Sequence, residues 1–133
     1  MEVLKISSRS RQELVEITSK LRQKLEEKGW RQGMLTVFCP HTTAGITINE
    51  AADPSVVQDI TGTLAKLVPE GANYRHMEGN SDAHIKSSLV GCSEQILVER
   101  GDLVLGTWQG VFFAEFDGPR SRKVFVGFVP GSE

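Results

Sequence analysis

The sequence predicts a single α+β domain built on a largely antiparallel sheet, and three observations lead there. The chain has 133 residues, enough for one core that needs no disulfide or metal staple. Its first half carries two amphipathic segments of helical period, and its last third reads almost wholly as strands. Hydrophobic residues make up 39% and charged residues 24% of the chain, the balance of an ordinary globular protein.

Leu4 and Ile6 alternate as a short opening strand. Ser10 and Glu13 have capping-box spacing, which predicts a helix start there. Leu14, Ile17, Leu21 and Leu25 continue that helix at the right period, and Gly29 ends it. The run MLTVFCP, residues 34–40, reads as a buried strand. Beyond Pro40, Ile46 and Ile48 fall on one face of an extended segment, with His41, Thr43, Thr47 and Asn49 on the other. Gly45 marks a place for a bulge.

Asp53 and Pro54 form an N-cap and a favoured first helical residue. Val56, Val57, Ile60, Leu64, Leu67 and Val68 give this second helix its apolar stripe, and Pro69 closes it. Residues 70–82 are polar and glycine-bearing, hence a loop, and Ser81 or Asp82 caps a short helix running to Gly91. Strands follow at 94–99, in a long run 103–116, and at 123–129. In the long run Trp108, Phe112, Ala114 and Phe116 lie on one face and Val111 and Phe113 on the other, so both faces need cover. Two main helices are few for that task, which hints at oligomerisation through sheet surface.

Fifteen basic against seventeen acidic residues leave a formal net charge of -2. No field of one sign dominates, so no nucleic-acid partner is expected. No segment approaches the roughly 20 apolar residues that cross a bilayer, so no membrane partner is expected and a cytoplasmic location is the default. Cys39 and Cys92 form no CxxC motif and read as two reduced, partly buried thiols.

The candidate chemistry begins with His41, His76 and His84, the only histidines, each set among small polar residues. Three imidazoles around one ion, with a position left open, is a common catalytic metal arrangement. The spacing fits no HExxH or zinc-ribbon pattern, so hydrogen-bonded structural roles stay open beside the metal reading. Glu50, Asp53, Asp82, Glu115 and Asp117 adjoin the same segments. Asp53 reads as a helix cap; Asp82 caps its helix or orients an imidazole. Glu115 sits mid-strand in apolar surroundings, where a carboxylate is costly unless it is paired or liganding. Glu115, Glu50 and Asp82 are therefore the catalytic candidates. Lys86, Ser87, Ser88 and Arg120 suggest an anion site, although Asp117, Gly118 and Pro119 are also plain turn residues. Trp108 and Gln109, between Gly106 and Gly110, offer a stacking and hydrogen-bonding wall, or simply core.

Three blocks together, HTTAGITINEAADPSV, YRHMEGNSDAHIKSSLVGCSEQILV and LGTWQGVFFAEFDGPRSRKV, resemble the YjbQ family, described as secondary thiamine-phosphate synthase-like. The resemblance runs end to end. It implies a compact domain whose antiparallel or mixed sheet curls into a partial barrel or sandwich with two main helices, assembled as a homotrimer. The family's shared polar residues fall on His41, Thr42, Asn49, Glu50, Asp53, His76, His84, Lys86, Ser87, Trp108, Gln109, Glu115 and Arg120. The function this implies is a metal-dependent enzyme acting on a small phosphorylated metabolite, with thiamine-phosphate synthase as a secondary activity. The metal would be zinc-like or magnesium, held by His41, His76 and His84; Asn49, Lys86, Ser87, Ser88, Trp108, Gln109 and Arg120 would bind the substrate. A metal-assisted phosphoester hydrolase and a non-catalytic trimeric binding protein are the alternatives.

Overall fold

The computed structural model describes residues 1–132. Strand β1 (Glu2–Ser7) opens the chain, and its alternating Leu4 and Ile6 face the core. The predicted first helix starts late. Residues Glu13–Glu16 form strand β2 instead, with Leu14 opposite Ala114 and Val15 opposite Phe113. Glu13 still accepts a hydrogen bond from the Arg9 N–H at 2.8 Å, so its backward reach survives as a loop contact while sheet pairing overrides helix formation. Helix α1 (Thr18–Lys28) then buries Leu21 and Leu25, and Gly29 closes it in the left-handed region at φ 66.

Strands β3 (Gly33–Phe38) and β4 (Ala44–Glu50) flank the turn that carries His41. Gly45 makes no bulge: pairing with the later strand runs unbroken from Ala44 to Glu50. The glycine is needed because a Cβ there would lie 2.5 Å from the Gly91 carbonyl oxygen. Helix α2 (Pro54–Leu67) begins at Asp53, whose carboxylate accepts from the Ser55 N–H, and α3 (Ser81–Val90) follows the loop. The last third contains β5 (Ser93–Glu99), the two-residue β6 (Asp102–Leu103), β7 (Gln109–Glu115) and β8 (Ser121–Pro130). The long run expected over 103–116 is thus two strands separated by a glycine-bearing turn.

All pairings are antiparallel, in a five-stranded sheet ordered β1-β8-β3-β5-β6 and a three-stranded sheet ordered β2-β7-β4. The sheets form a curled half-barrel around one core. Leu35, Val37, Ile96, Val98, Val124 and Val126 pack with Ile46, Val111 and Phe113, and α1 adds Leu21 and Leu25 to the same core. Full burial of a residue such as Phe113 contributes about 1.5–3 kcal/mol. The reverse face of β7 packs Ala114 and Phe116 against Ala83 of α3. Both faces of β7 are therefore covered within one chain, and its two apolar faces give no case for oligomerisation. Helix α2 has no buried residue. Among the described residues no helix is long and apolar enough to cross a membrane.

Candidate functional site

Residues from five segments meet where β7 ends and β8 begins. They line an open cavity of about 660 Å³, whose walls include Arg11, His41, Thr42, Thr43, His76, Asn80, His84, Asp117 and Arg120. Two glycine-dependent approaches shape it. Gly45 lets α3 lie against β4, and at Gly118 a Cβ would stand 2.3 Å from the Ser10 carbonyl oxygen, so the β7–β8 turn closes tightly on the Arg11 segment.

Beneath the cavity lies a buried ion pair. Glu115 is 0% and Arg122 4% exposed. Arg122 grips the carboxylate in a bidentate fork, Nε donating to Oε1 at 2.9 Å and Nη2 to Oε2. Arg122 Nη2 also donates to Thr43 Oγ1 at 2.8 Å, and the Ser8 hydroxyl donates to Glu115 Oε1 at 2.7 Å. Burial by itself raises the Glu115 pKa, but the hydrogen bonds from Arg122, Ser8 and the Asp117 N–H outweigh it and hold the carboxyl below its ordinary range. Glu115 supports the site from beneath by fixing Arg122, which itself lines the cavity.

A second charged cluster joins α3 to the Arg11 segment. Asp82 is fully buried; its Oδ1 accepts from Arg11 Nη2 and its Oδ2 from Lys86 Nζ, both at 2.9 Å. Lys86, 3% exposed, also donates to Gln12 Oε1 at 2.9 Å. Asp82 and Lys86 thus neutralise one another inside the protein. Asp117 accepts from Arg11 Nη1 at 3.1 Å, Asn80 Nδ2 at 2.9 Å and Arg120 Nη2 at 3.1 Å. Asn80 Oδ1 is left as a buried acceptor with no partner among the described residues.

The histidines share the cavity but not one centre. His76 and His84 meet edge to face with ring centroids 5.5 Å apart. His41 is turned so that its Nε2 accepts the Lys123 backbone N–H at 2.9 Å. Burial, and secondarily the Arg122 guanidinium, lower the His41 pKa. No group of three or more His, Cys, Asp or Glu side chains among the described residues has the geometry to hold a metal ion. The expectation that His41, His76 and His84 converge as one ligand set is therefore corrected: His76 and His84 meet each other, while His41 Nε2 is taken by the Lys123 amide.

Four other candidates stand elsewhere. Glu50 pairs with Gln109 at the opposite end of the β4–β7 ladder from the Ala44–Glu115 pair. Six residue-to-residue steps separate them, about 20 Å at about 3.3 Å each. Asn49, Glu50, Trp108 and Gln109 make local turn bonds or stay exposed: Glu50 accepts from the Ala52 N–H at 2.9 Å, Gln109 from the Gly106 N–H at 2.8 Å, and Trp108 is 64% exposed. Ser87 and Ser88 donate back along α3 to the Ala83 and His84 carbonyls. Arg120 is the predicted anion-binding residue that does reach the cavity.

Comparison with known proteins assigns the family. The profile of the family described as UPF0047 protein YjbQ-like matches residues 2–131. The chain belongs to the YjbQ family. A UPF0047 protein of Methanocaldococcus jannaschii is 54% identical over 124 residues, covering 93% of this chain and 90% of that one. YugU of Bacillus subtilis, also a UPF0047 protein, is 48% identical over 127 residues, covering 95% and 96%. A solved YjbQ/UPF0047 protein from Clostridium acetobutylicum superposes with a TM-score of 0.94 at 51% identity, covering 97% of this chain and 100% of that one. A conserved hypothetical protein from Thermus thermophilus gives 0.91 at 45% identity, with coverage of 97% and 100%. The curled α+β half-barrel expected from the sequence is the fold of these YjbQ-family relatives.

The functional expectation is corrected. The family and these relatives are named by a family designation alone, which gives no support to thiamine-phosphate synthase activity, and the described residues contain no metal-holding group. The metal-dependent enzyme and the metal-assisted hydrolase lose their common premise.

Sequence reasoning missed Arg11, Arg122, Thr43, Asn80 and Ser8. Arg122 carried a signal: it shares the inward face of β8 with Val124 and Val126, and a charge on an apolar face needs a buried counter-charge. Arg11 gave none, since its segment was read as helix.

Proposed function

We propose that the cavity binds a small organic monoanion of the carboxylate class, with His76 and His84 placed to exchange a proton with the bound molecule. The observation that carries this reading is Arg122. It is almost wholly buried and lines the cavity, while its hydrogen bonds to Glu115 and Thr43 use Nε and Nη2 and leave Nη1 without a partner among the described residues. Arg120 is arranged alike, its Nε and Nη2 held by Asp117 and its Nη1 unbonded. A planar carboxylate matches two such N–H groups. Charge argues for a single negative charge: the guanidinium groups of Arg11, Arg120 and Arg122 are balanced by Glu78, Asp117 and the Glu115 carboxylate paired with Arg122, so the site has no excess of positive charge to favour a dianion.

Calorimetric titration with acetate, lactate, succinate and inorganic phosphate tests the reading. Binding of the monocarboxylates, abolished in Arg120→Gln, is expected. Phosphate or succinate binding more tightly than acetate and lactate would overturn the single-charge argument.

The homotrimer implied by the family resemblance belongs to the same proposal. Val3, Met34, Leu97 and Val129 are exposed on the outer face of the five-stranded sheet, and α2 has no buried residue, so apolar surface is available for contacts between copies. Light scattering coupled to gel filtration reads the assembly directly.

A further inference from the structure

The β3 strand pairs with β8 only as far as Phe38 opposite Phe125. Two residues further along β8, the Lys123 N–H has no strand carbonyl from β3 to meet, because Cys39 and Pro40 turn the chain away. His41 fills that place, its Nε2 accepting the amide at 2.9 Å. The turn is held on its other side by the Cys39 N–H, which donates to the Cys92 carbonyl at 2.7 Å, and by the Cys39 thiol, 3.7 Å from the His41 carbonyl oxygen. The imidazole thus ends the ladder as a side-chain substitute for a strand, and its ring lies edge-on to Phe113.

An amide N–H can donate only to an unprotonated ring nitrogen. Neutral imidazole with Nε2 as acceptor carries its proton on Nδ1. Protonating His41 would set two N–H groups against each other and leave the Lys123 amide unpaired. Arg122 beside the ring acts in the same direction, as a like charge.

We infer that His41 is a tautomer-locked, uncharged Nδ1–H donor to the ligand of this cavity, a binding residue whose donor is present on both sides of the ordinary histidine pKa. The inference rests on the monoanion reading above and sharpens it. The ligand group that meets His41 is a proton-free oxygen, a carboxylate or carbonyl, because a donor faces it throughout. Arg120, Arg122 and His41 then supply donors to a cavity that Asn80, His76 and His84 also line. The inference also explains why His41 sits in the cavity yet does not join the other two imidazoles.

The test is imidazole ¹⁵N NMR on the intact protein labelled at histidine and arginine, with acetate as probe. At pH 6 a histidine of ordinary pKa is about three-quarters protonated; His41 is expected to show the neutral Nδ1–H pattern there, and its Nδ1 signal to move as acetate is added. His41→Phe is expected to weaken acetate binding by about tenfold or more, the loss of one hydrogen bond to a charged group. His41→Gln, whose amide can both accept from Lys123 and donate to acetate, is expected to recover part of that loss. An Nε2–H or imidazolium pattern at pH 6 overturns the inference and leaves the cavity reading standing. So does an Nδ1 signal that stays still while the Arg120 and Arg122 signals move. If no cavity signal responds to acetate, the cavity reading itself falls and the inference with it.

Discussion

Replacing Arg122 with leucine would strand the Glu115 carboxylate in the interior. Glu115 is 0% exposed and would keep only the Ser8 hydroxyl and the Asp117 N–H as donors. Breaking a buried ion pair from one side costs about 3–5 kcal/mol. For a 133-residue chain, an unfolding entropy of about 2.1 cal/mol/K per residue turns that into a fall in Tm of about 10–18 °C. Urea titration followed by circular dichroism measures the free energy, and scanning calorimetry the midpoint. The double variant Glu115→Met with Arg122→Leu removes both charges and is expected to recover most of the loss, since apolar replacement of a buried pair is often neutral or stabilising. A cost below about 1 kcal/mol for the single change, or no recovery in the double variant, would refute the placement of this pair beneath the cavity. The single variant is also expected to raise the His41 pKa, because one of the influences lowering it has gone.

Acid should destabilise the protein in two stages. The His41 pKa in the fold lies below its ordinary 6.5, so as pH falls past 6.5 the unfolded chain takes up that proton first and stability drops until the folded pKa is reached. The Glu115 pKa in the fold lies below 4.5, so the stability it contributes is present above that pH and is lost as pH falls through the folded value; His41→Gln should remove only the first stage of a urea-midpoint profile against pH. Gly45→Ala places a Cβ 2.5 Å from the Gly91 carbonyl oxygen and should cost about 1–3 kcal/mol by chemical denaturation, whereas Gly62→Ala, on α2 with nothing within 4 Å, should be neutral or mildly stabilising. Prolonged dialysis against a chelator should leave acetate affinity and Tm unchanged; a loss restored by zinc or magnesium would contradict the separate placement of the three imidazoles.

The fold was legible wherever periodicity and local chemistry agreed. Asp53 and Pro54 start α2, Gly29 ends α1, and Val111 and Phe113 face the core opposite Ala114 and Phe116. Reading failed at Leu14, where helical and strand spacing coincide over a few residues and only β7, a hundred positions away, decides between them. At the site, Glu115 is a catalytic candidate in the sequence because a buried carboxylate must be paired or liganding, and in the fold it is paired. The partner is Arg122, reached across the β7–β8 turn. Asn49, Glu50, Trp108 and Gln109 join the histidines in the set the family resemblance implies, yet an antiparallel ladder sends the two ends of one strand in opposite directions. The tautomer of His41 was invisible in sequence, since it depends on where β3 stops pairing with β8.

The most direct test is a crystal of the protein soaked in a bromobenzoate, with the bromine located by its anomalous scattering. The carboxylate is expected within hydrogen-bond distance of Arg122 Nη1, Arg120 Nη1 and His41 Nδ1, with Lys123 still donating to His41 Nε2. A bound molecule whose carboxylate avoids these donors, or a cavity left empty while the ligand occupies another surface, would contradict the account.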